Sequence, residues 1–135
     1  MERLQAPLAL LARLFLAYIF VVEGWSKISA YSATASYMQT NGVTPGLLPL
    51  VILTELGGGL LIAAGFMTRY AALALAGFCL LTALLFHSDF GNIEQVINFN
   101  KNIAIAGGFL ALMAFGPGAW SIDAMKRGVI QNSMS

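Results

Sequence analysis

Four apolar blocks divide the chain, covering residues 7–24, 47–66, 70–86 and 99–115. A helix of about 20 residues, rising ~1.5 Å per residue, crosses a hydrocarbon core of ~30 Å. The blocks therefore predict four spanning helices. Pro7 falls in the first turn of the first, where its missing N–H has no partner to lose. Between the first two blocks, Ile28, Tyr31, Ala35 and Met38 recur at helical spacing among Ser, Thr and Gln. That predicts a short helix lying along the bilayer surface, anchored by Trp25, Tyr31 and Tyr37. Thr44 before Pro45 is placed to cap the second span. Met67-Thr68-Arg69 reads as a tight turn, and residues 90–99 as a polar connection to a helix starting near Asn98. Gly116-Pro117-Gly118 stops the fourth span. The expected architecture is an all-α membrane protein. It is a four-transmembrane-helix bundle with a short interfacial helix between helices 1 and 2. Residues 1–123 form one domain, and 124–135 a polar tail whose last residues are expected to be unstructured.

Composition narrows the picture. Of 135 residues, 59% are hydrophobic and 10% charged, against about 25% charged in an ordinary soluble domain. Too little polar surface exists to solvate a globule of this size. A net charge of +1, with no concentrated basic face, excludes a nucleic-acid partner. The single cysteine, Cys79, excludes an intrachain disulfide and reads as a small buried hydrophobe. The A-x-A at Ala33-Thr34-Ala35 lies too far past the first apolar run for signal cleavage, so that run is expected to be a retained helix. Lys and Arg counted near the spans give Arg3, Arg69, Lys126 and Arg127 on one side, and Lys27 and Lys101 on the other. The asymmetry favours both termini in the cytoplasm.

Two charges fall inside the spans. If helix 1 ends near Glu23, Arg13 lies ten residues in, ~15 Å deep; if helix 2 enters near Leu47, Glu55 lies ~12 Å deep. Opposite charges at one depth on consecutive antiparallel helices predict an Arg13–Glu55 pair, since each alone is costly in lipid. Glu55, Gly59 and Ile62 share a helical face, and the run Gly57-Gly58-Gly59 reads as a packing seam. At the outer rim, Glu23 and Lys27 are an i,i+4 pair, Lys101 stands among Asn98, Asn100 and Asn102, and His87 precedes Asp89. Together these predict an outward-facing polar funnel with Arg13 and Glu55 at its base. An intramembrane ion pair can equally be a device that fixes helix register, and both readings stay open at this point. No metal site is expected, because His87 lacks companion ligands. No haem pair, phosphate loop or nucleophile triad is present.

The chain resembles the DoxX family of small bacterial inner-membrane proteins. The resemblance rests on Arg13, Gly24-Trp25-Ser26-Lys27, Glu55-Leu56-Gly57-Gly58-Gly59 and Gly65-Phe66-Met67-Thr68-Arg69. It continues through Lys101-Asn102 and Gly116-Pro117-Gly118-Ala119-Trp120-Ser121-Ile122-Asp123. It implies a four-helix bundle in the bacterial inner membrane and an association with redox chemistry. The family takes its name from a subunit of a thiosulfate:quinone oxidoreductase.

The leading expectation is a redox-associated accessory that binds a quinone-like or other small amphipathic ligand, with no covalent cofactor. Arg13 and Lys101 would donate hydrogen bonds to a carbonyl or anionic oxygen of the ligand. Glu55 would hold Arg13 or relay a proton, and His87 would pass it to the outer water; Lys27, Asn102 and Glu23 join them as candidate ligand-binding or proton-relay residues. No electron carrier is legible, so the quinone or a partner oxidoreductase must supply one. One alternative is a non-catalytic subunit or scaffold for that partner. Another is a small-solute transporter, for which four short helices would have to assemble as a homo-oligomer. Whether the chain is an enzyme stays open.

Overall fold

A computed structural model describes residues 2–133 of the chain. Helix α1 (Glu2–Ser29) is followed across a one-residue break by α2 (Tyr31–Thr40). The second span is composite: a 3-10 turn (Pro45–Leu47), α3 (Leu48–Ile52), a π-helical turn (Leu53–Gly57) and α4 (Gly58–Ala64). Helices α5 (Thr68–Phe86), α6 (Ile93–Phe115) and α7 (Ile122–Ser133) complete the chain, and no strand occurs among the described residues. Four stretches are long and apolar enough to cross a membrane: Arg3–Ser29, Pro45–Ala64, Thr68–Phe86 and Ile93–Phe115. The protein is an all-α, four-span membrane bundle with a short helix in its first connection.

The boundaries differ from the sequence reading where local hydrogen bonds extend a helix. Helix α1 continues past Glu23 to Ser29, because nothing between them breaks the ladder. Helix α6 starts at Ile93 rather than near Asn98, because Asn92 caps it: its side-chain oxygen accepts from the Glu94 N–H at 2.9 Å. Thr44 is extended but makes no side-chain cap, so Pro45 alone marks that start. The tail folds as α7 through Ser133; Met134 and Ser135, part of the expected unstructured end, lie outside the described residues.

Packing follows from one stripe on α1. Arg13, Ala17, Phe20 and Gly24 are buried at heptad-like spacing, and Lys27 continues the line, while Phe15 and Tyr18 on the opposite face are 74% and 70% exposed. Apolar side chains facing outward are what lipid requires. The buried stripe meets the second span closely. A Cβ at Gly24 would lie 2.8 Å from the Leu56 backbone nitrogen, and one at Gly59 would lie 3.0 Å from Val21 Cγ2. Small residues let these two backbones approach, as the glycine run predicted. Phe20 continues into the core with Ile62, Leu75, Cys79 and Ala106, and meets Phe109 edge-on with ring centroids 5.3 Å apart.

Candidate functional site

The π turn organises the site. It places Glu55, 5% exposed, on the face of the second span that meets α1. Such turns offset the helical register locally and recur at functional sites. Lys27, at the far end of the α1 stripe, brings its Nζ to 3.0 Å from Glu55 Oε2 and 3.2 Å from Glu23 Oε2. One ammonium is thus shared between an inner and an outer carboxylate. The inner side chain is 7% exposed and the outer 52%, with Lys27 between them at 20%. The three groups form a graded path from solvent to the buried carboxylate.

Beside this triad lies a cavity of about 470 Å³. That is within the range of pockets that hold small organic ligands. Glu23, Lys27 and Glu55 line one wall; His87, Lys101 and Asn102 line another; Phe20, Phe78 and Phe86 supply apolar surface. Lys101 makes no ion pair among the described residues. The His87 Nδ1 lies 2.8 Å from Gln95 Oε1; an amide oxygen only accepts, so Nδ1 carries the hydrogen. Asp89 does not join His87 and instead accepts from the Gly91 N–H at 3.1 Å. Helix α2 closes the cavity with Tyr37 and Met38, and Tyr37 stacks on Phe86 with centroids 5.6 Å apart. The expected surface anchor Tyr37 is therefore also part of the cavity wall.

Arg13 is elsewhere, and the expected Arg13–Glu55 pair does not form. Its guanidinium donates to the carbonyls of Ile62 (3.3 Å), Ala63 (3.1 Å) and Trp120. The depth estimate ended helix 1 at Glu23, six residues too early, and so assigned the wrong cation to the acid. With Gly24 packed on Leu56, Arg13 lies eleven residues along α1, about 16 Å away, level with the end of α4. There it meets the last carbonyls and negative dipole end of that helix, of which Ile62 O also accepts from the Gly65 N–H at 3.1 Å, and a cation suits them without any carboxylate. Gly65 makes room: its φ is +68°, and a Cβ there would collide with the guanidinium. Arg13 is a helix-end clamp at the opposite end of the bundle from the cavity.

The same end carries a second clamp. The Asp123 carboxylate accepts from the Met67 N–H (2.9 Å), the Thr68 N–H (2.9 Å) and the Thr68 hydroxyl (2.7 Å), while the Asp123 N–H donates to Gly65 O at 2.9 Å. Asp123 is thus an N-cap for α5 supplied from another helix. Burial pushes its carboxyl up, but the bonds from Thr68 and Met67 and the charge of Arg127 outweigh this and hold it below the ordinary value of 3.8.

A sequence model of the DoxX family matches residues 8–88. The chain belongs to the DoxX family. Two curated relatives are named inner membrane proteins, both from Escherichia coli (strain K12). YqjF is 50% identical over 123 residues, covering 91% of this chain and 95% of its own; YphA is 35% identical over 123 residues, covering 86% and 88%. No solved structure matches.

In this DoxX-family protein the matched region holds Arg13, Glu23, Lys27, Glu55 and His87, while Lys101 and Asn102 lie beyond it. Of the seven side chains singled out from the sequence, the structure gathers Glu23, Lys27, Glu55, His87, Lys101 and Asn102 around one cavity and leaves Arg13 outside. Sequence reasoning missed Gln95, Thr82 and the aromatic wall of Phe78 and Phe86. One signal was available: Asn98, Lys101, Asn102 and Ile105 fall on one face at i, i+3, i+4 and i+7, and all line the cavity. Nothing in the residue types marks the π turn. Among the described residues no group of three His, Cys, Asp or Glu side chains could hold a metal ion.

Proposed function

We propose that this DoxX-family protein is an inner-membrane, redox-associated accessory that holds a quinone-like or similar small amphipathic molecule in the cavity beside Glu55. The observation that carries the reading is the combination in one cavity of about 470 Å³ of aromatic walls, a buried Lys27–Glu55 pair and an uncommitted Lys101. Phe20, Phe78 and Phe86 suit a flat apolar ring. Lys27 and Lys101 are the hydrogen-bond donors for its carbonyl or phenolate oxygens, a task the sequence had given in part to Arg13. Glu55, Lys27 and Glu23 offer a chain of ionisable groups along which a proton could be handed outward, and His87, fixed by Gln95, is a second acceptor at the rim. A bound quinone supplies two-electron redox chemistry; this chain's residues bind it, orient it and hold protons. Inner-membrane location rests on the names of the two relatives, and the redox association on the family resemblance. Both termini in the cytoplasm follows from the Lys and Arg count.

The test is a titration of purified protein in mild detergent with a short-chain ubiquinone, read by tryptophan quenching; Trp25 stands two residues from Lys27. Saturable micromolar binding, weakened about tenfold by Lys101→Met, is expected, as loss of one charge-assisted hydrogen bond removes about 1.5 kcal/mol. Absence of saturable binding, or unchanged affinity in Lys101→Met and Glu55→Gln alike, overturns the reading.

A further inference from the structure

The bundle end that carries Arg13 and Asp123 has a groove of its own, of about 320 Å³, at the start of α5. Met67, Thr68, Arg69, Tyr70, Pro117, Asp123 and Arg127 line it. Its charge is unbalanced. The one carboxylate, Asp123, is consumed by the three donors of Met67 and Thr68. Among the described residues Arg127 spends only Nε, at 3.4 Å from the Asp123 carbonyl. Arg69 makes no ion pair among the described residues and extends beside Gly116, 3.6 Å from where a Cβ would stand. Two guanidiniums therefore line one groove with a single carboxylate whose oxygens are already engaged by other donors, which leaves the groove net positive with free guanidinium donors, an arrangement suited to a phosphate.

Position says where that phosphate comes from. Thr68 opens one span and Phe115 closes another, so the groove lies where hydrocarbon gives way to headgroups. Helix α7 leaves this level directly. Its Met125, Val129 and Ile130 are 62%, 69% and 58% exposed, and they share a face with Ile122 at i, i+3, i+7 and i+8. Asp123, Arg127 and Gln131 recur at i, i+4 and i+8 on another face. Lys126 lies over the Phe66 ring at 4.1 Å, holding the helix to the bundle end. A helix of this pattern beside a span, with Trp120 and Tyr70 exposed near it, is built to lie in the interface.

We propose that Arg69 and Arg127 bind the phosphodiester of an anionic phospholipid, with α7 lying over its acyl chains. The site is at the opposite end from the cavity beside Glu55, so it stands or falls independently of the ligand proposed there. Full-length protein purified in mild detergent is titrated with phosphatidylglycerol, and lipid-bound protein is counted by native mass spectrometry. Arg69→Gln/Arg127→Gln is expected to weaken binding about 25-fold, roughly fivefold per arginine. Arg69→Lys/Arg127→Lys, which keeps charge and fold but loses the fork, recovers only part of it. Arg3→Gln, which alters charge elsewhere on the chain, leaves binding unchanged. Unchanged binding in the double Gln variant, or an equal loss in Arg3→Gln, overturns the site. Inorganic phosphate distinguishes the sources: at tenfold molar excess it leaves the lipid in place if α7 and the acyl chains contribute, and its displacing the lipid fully overturns the phospholipid assignment.

Discussion

Removing Lys27 and removing Glu55 should have unequal consequences. Lys27→Met strands the Glu55 carboxylate, 7% exposed, with no other ion-pair partner among the described residues. Breaking a buried pair in this way costs about 3–5 kcal/mol, and the neighbouring cavity puts this site at the low end, about 3 kcal/mol. Glu55→Leu leaves Lys27 with Glu23 at 3.2 Å and a side chain already 20% exposed, so its ammonium keeps a partner and water. The expected cost is about 1 kcal/mol. The double variant Lys27→Met/Glu55→Leu replaces the pair with apolar groups and should return to within about 1 kcal/mol of the parent, as buried pairs exchanged for well-packed hydrophobes often do. The coupling between the two sites is then about 3 kcal/mol, two decades in the unfolding equilibrium. Reversible unfolding in mixed micelles, followed by tryptophan fluorescence, measures all four corners of the cycle. Equal costs for the two single variants would refute the shared-ammonium account. Simple additivity would remove the pair altogether.

The clamp end of the bundle gives two further predictions. Arg13→Met should cost about 2–3 kcal/mol in the same unfolding assay, because it removes the donor to the part-buried carbonyls of Ala63 and Trp120, while Ile62 O keeps the Gly65 N–H; the affinity for short-chain ubiquinone should be unchanged in protein that remains folded, and a specific loss of binding would place Arg13 back in the site. Asp123 has its folded-state pKa below 3.8, so its capping contribution of about 1 kcal/mol is complete above that value and drains away as pH falls through the lower folded one. Hydrogen-exchange protection in α7 and the first turn of α5, taken relative to the intrinsic rate at each pH, should fall as pH drops below about 4, and Asp123→Asn should show the reduced protection at pH 7 with the acid dependence gone.

The bundle was legible because lipid imposes a coarse rule: long apolar blocks become spans, and their number sets the topology. Glu55 was legible for the same reason, since a carboxylate at that depth needs an answer. Which cation answers it was not. Arg13 and Lys27 lie fourteen residues apart on one face of α1, and a depth count that ends the helix early selects the wrong one. The relevant information is the close approach of Gly24 to Leu56, a contact between spans that no single-chain periodicity reports. The π turn is likewise invisible, because its residues carry ordinary helical types and only the hydrogen-bond pattern departs.

The closing motif around Asp123 was legible as a motif but not as a tie between chain segments. Ser121 is buried, its hydroxyl donates to Gly118 O at 2.7 Å and accepts from the Ala124 N–H at 3.2 Å, and Asp123 two residues later caps α5. In the sequence these residues follow a helix stop and close the membrane domain just ahead of the polar run 124–135, and nothing in them marks a partner. In space they tie the last helix to the turn between the second and third spans, beside the Arg13 guanidinium, whose third acceptor is the carbonyl of Trp120. The two intramembrane-level charges therefore divide the labour by end: Arg13 joins three chain segments where α4 stops, which frees Glu55 from a purely structural pairing with it. That division leaves the cavity-side carboxylate held by a single shared lysine, beside a cavity of about 470 Å³.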